Sequence, residues 1–240
     1  MTHRRDLLAL GAGAAAWWAA RGGEALAEGP TTVPARLETR LFNFNDSVSA
    51  AAADKIVGTF TKAAKAAATG GLLVGRNLNN VPFATRFEWI YMIQLDPAAS
   101  GADNGALQRF DAARDALASH CRNQAACTLD CDLPPRFAAA PGVKVRHTVM
   151  FSFKPDASAQ DRTRNVDAIR TMGRLPMVRS YLVQPAAPNV TGPDQMQWQV
   201  IGDFDSLADY QAYASAPVHL QIGPDFKAHT SRVAFLDVFV

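Results

Sequence analysis

The chain has 240 residues, 48% hydrophobic and 19% charged, enough apolar content to bury a core and too little charge for a disordered polymer. Lys and Arg number 24 against 22 Asp and Glu, a net charge of +2. No basic run occurs, which excludes the clustered basic stripe of a nucleic-acid surface. Three cysteines are too few for a disulfide scaffold, and they lack zinc-finger spacing.

Residues 1–27 read as an export signal. Arg4-Arg5 precede an apolar run of 14 residues, Leu7 to Ala20, and Ala25-Leu26-Ala27 supplies small residues for cleavage. The run is too short to span a bilayer and fits a signal h-region, while the paired arginines resemble the twin-arginine type. The expected location is periplasmic or exported, with no membrane association after cleavage. The remaining 213 residues carry 21 basic and 20 acidic groups. Residues 28–35, with Gly29, Pro30 and Pro34, read as a linker.

The rest of the chain repeats itself. Under a shift of 109 residues, Thr39 meets Thr148, Phe42 meets Phe151, Phe44 meets Phe153, and Trp89 meets Trp198. Ser49-Ala50 meets Ser158-Ala159, and Leu73-Val74 meets Leu182-Val183. After Asp96 the first copy carries an extra loop, Pro97 to Gly105, and the offset becomes 100, so Leu107 meets Leu207 and Phe110 meets Tyr210. Two homologous modules follow, 36–138 and 143–240. In the second, alternation predicts a strand over 147–153, and helical spacing after Ser158 predicts a helix to Met172. Strands are predicted over 178–184 and 197–204, a helix over 206–214 behind Ser206, and a closing strand over 233–240. The closing strand of the first copy has no clear signal.

The order β-α-β-β-α-β is the ferredoxin-like split βαβ, an α+β module with helices on one face of an antiparallel sheet. The bare faces of two such modules can cover each other. The expected architecture is a dimeric-type α+β barrel within one chain, packed sheet to sheet around a central space. The chain is then a monomer with an internal pseudo-dimer, with further oligomerisation left open.

The second copy resembles the stress-responsive A/B barrel (Dabb) domain family. The residues that carry the resemblance are 145–153 (VRHTVMFSF), Leu175-Pro176-Met177-Val178, Phe204-Asp205-Ser206, Tyr213, Pro217-Val218-His219, and the closing strand with Asp237. The first copy diverges: Glu38 stands where His147 stands, Ala113 replaces Tyr213, and Ala118-Ser119-His120 replaces the Pro-x-His step. The resemblance implies a barrel cavity and, by likeness to polyketide cyclases in that family, His219 as general base with Tyr213 as its hydrogen-bonding partner. An imidazole titrating near neutrality can take a proton alpha to a carbonyl, and a phenol can hold the enolate oxygen. His147, Trp198 and Phe151 complete the candidate substrate wall, His147 facing inward with Val149, Phe151 and Phe153, into the cavity or into plain core.

Each of these residues also has a plain structural role open to it: His219 as a helix cap, Tyr213 as core, Trp198 as packing. His229 reads as an exposed helix-end residue. Cys121, Cys127 and Cys131 leave one disulfide as the default for an exported chain, with Cys121 in the bond, because 127 and 131 on an extended strand lie roughly 13 Å apart. A Cys3His metal site does not match usual zinc spacing, so no metal and no cofactor is expected. A haem-binding barrel is disfavoured because Gly101 to Gly105 has Asp103 at the wrong position for a G-x-x-D-G signature. Two functions stand: a module binding a small apolar molecule or partner, or a cofactor-independent cyclase-, isomerase- or monooxygenase-like enzyme using His219 and Tyr213.

Overall fold

The computed structural model describes residues 32–78, 85–98 and 104–240, so the signal reading over 1–27 lies outside the described residues. The first module runs β1 (Val33–Phe44), α1 (Ala50–Ala67), β2 (Leu72–Arg76), β3 (Thr85–Arg86), β4 (Trp89–Leu95), α2 (Gly105–Ser119) and β5 (Cys121–Leu133). A 3-10 turn, Phe137–Ala139, leads to the second module: β6 (Val145–Phe153), α3 (Ala159–Met172), β7 (Ser180–Pro185), β8 (Trp198–Phe204), α4 (Leu207–Ala214), α5 (Pro217–His229) and β9 (Thr230–Phe239). β1 starts inside the segment read as linker, and the first module does have a closing strand. Among the described residues no helix is long and apolar enough to cross a membrane.

Helix starts follow the sequence signals. Ser158 Oγ accepts from Asp161 N and donates to the Asp161 carboxylate, and Ser206 does the same with Asp209. These S-x-x-D boxes satisfy amide groups that the first turn leaves unpaired. The missed element is α5. Pro217 begins it, where a missing N–H costs nothing, but Gly223-Pro224 lies inside it and reads in sequence as a helix end.

The sheets are ordered β2-β4-β1-β5 and β3-β9-β6-β8-β7. The 109-residue repeat holds in three dimensions. Phe42 pairs with Trp89 across β1–β4 and stacks on it at 6.3 Å and 11°. Phe151 pairs with Trp198 across β6–β8 at 6.2 Å and 9°. Each module also reaches into the other: Arg86 pairs in parallel with Phe235, and Gln195 with Ala126. Adding 109 to Arg86 and Ala126 gives Gln195 and Phe235, so the two contacts are the same contact made twice about a pseudo-two-fold axis.

The two sheets face each other, and the space between them is packed core. Leu37, Leu41, Ile90, Met92 and Cys127 of the first module meet Met150, Ile201, Leu236 and Val238 of the second, and Gln199 Nε2 donates to Thr39 Oγ1 across the gap at 2.9 Å. The expected central space is thus filled. Separate apolar layers lie between each sheet and its own helices. The inter-module turn is held by a buried ion pair that the sequence did not reveal. Arg146, 0% exposed, meets Asp203, 1% exposed, through Nε at 2.6 Å and Nη2 at 2.9 Å, and Nη2 also donates to the Phe137 carbonyl at 2.9 Å. Ser180 Oγ donates to the same carboxylate at 2.8 Å.

Candidate functional site

β6 has two buried faces, and alternation assigns its residues to one or the other. Arg146, Thr148 and Met150 face the other sheet; Val145, Phe151 and Phe153 face the helices. His147 shares their face, as expected, but that face lies beneath α3, α4 and α5 and is not the barrel interior. The sequence reading therefore grouped the right residues and assigned them to the wrong space.

On that face His147 stands between Gly202 of β8 and Asp237 of β9 in one cross-strand row. Directly opposed residues come within hydrogen-bond reach, and His147 Nδ1 lies 2.6 Å from Asp237 Oδ1. Tyr210, on α4, donates its hydroxyl to Asp237 Oδ2 at 2.6 Å. The contact with the carboxylate occupies Nδ1 and leaves Nε2 as the other ring nitrogen. On the other side Gly202 carries no side chain, and Tyr181 fills the room: a Cβ at Gly202 would stand 3.2 Å from its ring.

Tyr213 follows Tyr210 by three residues and so shares its helix face. Its hydroxyl is 3.0 Å from that of Tyr181, and its ring lies 4.9 Å from the His219 ring and 5.8 Å from that of His147. His219 is the third residue of α5, and its ring reaches back to the carbonyl of Ala214, the last residue of α4, as a cap on that helix would. Its Nδ1 is buried and makes no hydrogen bond. Burial lowers its pKa below the ordinary 6.5, nearby His147 lowers it further, and a hydrogen bond with the Ala214 carbonyl opposes both. Burial raises Tyr213 and Tyr210 well above the ordinary tyrosine value, with the Asp237 charge adding to each. The cluster thus joins a neutral imidazole to phenols that remain donors.

The structure brings together His147, Tyr213 and His219, and adds Asp237, Tyr210 and Tyr181. It does not bring Phe151 and Trp198 to them. Phe151 is four residues along β6, about 13 Å away, and is 0% exposed beneath Phe226 of α5. Trp198 stacks on Phe151, so both pack the layer away from the imidazoles. His229 is half-buried, its Nδ1 2.8 Å from the Asp225 carbonyl. The site is covered, with Tyr213 1% and His147 8% exposed and His219 half-buried over them. Two concavities lie elsewhere: one of about 750 Å³ within the first module, lined by Phe44, Ala53, Arg76 and Trp89 among others, and one of about 440 Å³ on the seam between modules. The smaller is lined by 122–125 and 231–234, stretches that the 109 shift superposes.

Among the described residues the first module has no such cluster. Glu38, at the position of His147, accepts from the Tyr91 hydroxyl at 2.5 Å and from Arg114 Nη1 at 3.3 Å. Thr128 stands in the place of Asp237, and Phe60 and Phe110 fill the space around Tyr91. Its carboxylate is therefore spent on internal partners.

The cysteines do not bridge. All three are free and lie along β5, Cys127 and Cys131 turned into the core between the sheets. Positions four and six apart along one strand cannot approach to disulfide distance, which overturns the expected bond to Cys121. Burial raises Cys127 and Cys131 to about 12 and Cys121 to about 11. Among the described residues no group of three or more His, Cys, Asp or Glu could hold a metal.

Fold and site define a tandem ferredoxin-like α+β barrel whose second module carries a cluster of imidazoles and phenols under its helices. Residues 145–240 match the family model of the stress responsive A/B barrel (Dabb) domain. An anthrone oxidase-like protein is similar over 86% of this chain and 91% of its own, at 14% identity and a TM-score of 0.56. A putative monooxygenase from Fusobacterium nucleatum is similar over 87% and 93%, at 9% identity and a TM-score of 0.51. These likenesses establish the two-module fold. No curated protein matches the chain in sequence.

Proposed function

We propose that the protein binds a small, largely apolar molecule with a carbonyl group between the second sheet and its helices, and acts there as a cofactor-independent proton-transfer catalyst. The observation that carries this reading is the cluster of His147, His219, Tyr181, Tyr210 and Tyr213 in the second module, anchored by the buried Asp237 carboxylate that His147 and Tyr210 hydrogen-bond. In this reading an imidazole, His219 or His147 through Nε2, removes a proton alpha to the carbonyl, and the Tyr213 hydroxyl donates to the oxygen as charge develops. Asp237 positions His147 without touching substrate. The leader read in residues 1–27 extends the proposal to work outside the cytoplasm.

Acetophenone tests the chemistry, because its methyl protons exchange slowly in deuterium oxide and proton NMR follows their loss. Wild-type protein is expected to accelerate exchange beyond an equal concentration of free imidazole. His219→Gln and Asp237→Asn should each reduce the acceleration about 10-fold or more, in the range that a positioned acid or base supplies. No acceleration by wild type would sink the catalytic reading. The near-complete burial of Tyr213 favours a second reading, binding without catalysis. Saturation-transfer signals from acetophenone without exchange would establish that one.

A further inference from the structure

A covered site admits a ligand only if a covering element moves, and the three covering helices are not equally held. α3 buries Val166, Ile169 and Met172, and α4 buries Tyr210 and Tyr213, but α5 buries no residue fully. α5 also divides in two. Its C-terminal part is tied down: Asp225 accepts from Arg164 Nε at 3.2 Å, Arg164 Nη2 at 3.1 Å and Asn165 Nδ2 at 3.0 Å. Lys154 Nζ donates to the Ala228 carbonyl at 2.6 Å, and Phe226 packs on Phe151. The N-terminal part, 217–222, is held more lightly: His219 bonds the Ala214 carbonyl at the end of α4, and among the described residues its side chains make no hydrogen bond to α3 or to a strand. Leu220 there is 63% exposed.

Between the two parts lies Gly223-Pro224. Pro224 has no N–H to give to the preceding turn, and glycine is the residue that most weakens a helix interior apart from proline. A Cβ at Gly223 would meet nothing within 4 Å, so packing does not call for glycine there. Ahead of the segment, Ala216 caps α5 with no side-chain bond.

We propose that residues 217–222 form a flap over the second module's site, carrying His219 on its inner side and turning on Gly223-Pro224 against an anchor made by Asp225, Arg164 and Asn165. The flap has its purpose from the site proposed above, but its existence does not depend on that reading. Opening lifts His219 away from Tyr213 and exposes the His147 row; closing excludes water and restores the ring contact.

Amide hydrogen exchange on the ligand-free full chain reads the flap alone. Amides of 218–223 should exchange markedly faster than those of 225–229, α3 and β6. Gly223→Ala fits the space and stiffens the helix, so it should slow exchange at 218–223 about fivefold, with β6 and α3 unchanged. Asp225→Asn should carry fast exchange into 225–229, while Asp167→Asn, on α3 in a pair with Arg170, should not. Uniform exchange across α5 in wild type, or an unchanged rate at 218–223 in Gly223→Ala, would overturn the proposal. Acetophenone exchange separates the two ideas. Slow-flap Gly223→Ala protein with unaltered acetophenone turnover would overturn gating. Fast flap amides without acetophenone turnover in wild type would leave the flap standing and remove the catalytic site.

Discussion

Asp203→Asn removes the counter-ion of a guanidinium with no exposure to water. Breaking one side of a buried pair usually costs roughly 3–5 kcal/mol, because the remaining charge stays desolvated. Arg146 keeps some compensation, since Nη2 still donates to the Phe137 carbonyl and the guanidinium lies 4.8 Å from the Phe137 ring centre. The lower end, about 3 kcal/mol, is therefore expected. With a urea m-value of about 2–3 kcal/mol/M, the midpoint should fall by about 1–1.5 M, followed through tryptophan fluorescence. Because the same guanidinium grips the turn that joins the modules, the transition should also broaden as the halves lose mutual support. Replacing both partners, Arg146→Met with Asp203→Leu, removes the uncompensated charge and should recover most of the loss. A single variant that shifts the midpoint by less than about 0.3 M, or a double variant worse than the single one, would refute the reasoning.

Three further outcomes follow from the structure. Burial holds His219 below its ordinary pKa of 6.5, so its neutral form contributes stability that is full above about pH 6.5 and lost as pH falls through the lowered folded value. Thermal melts between pH 8 and 5 should show this fall, and His219→Gln should flatten it; an unchanged slope would remove His219 as its source. Gly202→Ala places a Cβ 3.2 Å from Tyr181 and 3.4 Å from Phe204, and should cost about 1–2 kcal/mol as the rings shift, measured by urea melts; a neutral or stabilised variant would show that the rings give way freely. Buried thiols near 11 and 12 should resist Ellman's reagent at pH 8 in the folded protein and all titrate in urea, whereas an oxidised pair would leave only one reactive thiol.

The repeat was legible because its matches fall on aromatics and strand ends that the fold uses twice, as the two parallel stacks of Phe on Trp show. Serine caps were legible for the same reason: a cap is a local bargain between neighbours in sequence. The face of β6 that His147 occupies was legible too, but not what covers it. Alternation separates two faces and carries no label for sheet or helix, and in a strand buried on both sides neither face is polar enough to decide. Asp237, in the predicted closing strand, and Arg146, just ahead of the strand predicted over 147–153, had no visible role, since their partners lie 90 and 57 residues away and only register brings them opposite. Tyr181 escaped notice because the signal for it is a vacancy, the missing side chain of Gly202. β5 was obscured by its small and polar sequence, NQAACTLD, which is strand only because β1 pairs with its whole length.

The doubled contact of Arg86 with Phe235 and Gln195 with Ala126 has a consequence for how such a molecule can change. In an assembly of two identical chains, each substitution is made twice, once on either side of the symmetry axis, and both copies must tolerate it. Tethering the halves removes that obligation. One half can trade a histidine for a glutamate closed in by arginine and tyrosine while the other keeps its imidazoles, and the shared core still closes. A chain of this kind carries half the sites of the symmetric pair for the same mass, and in return one half is free to become pure scaffold.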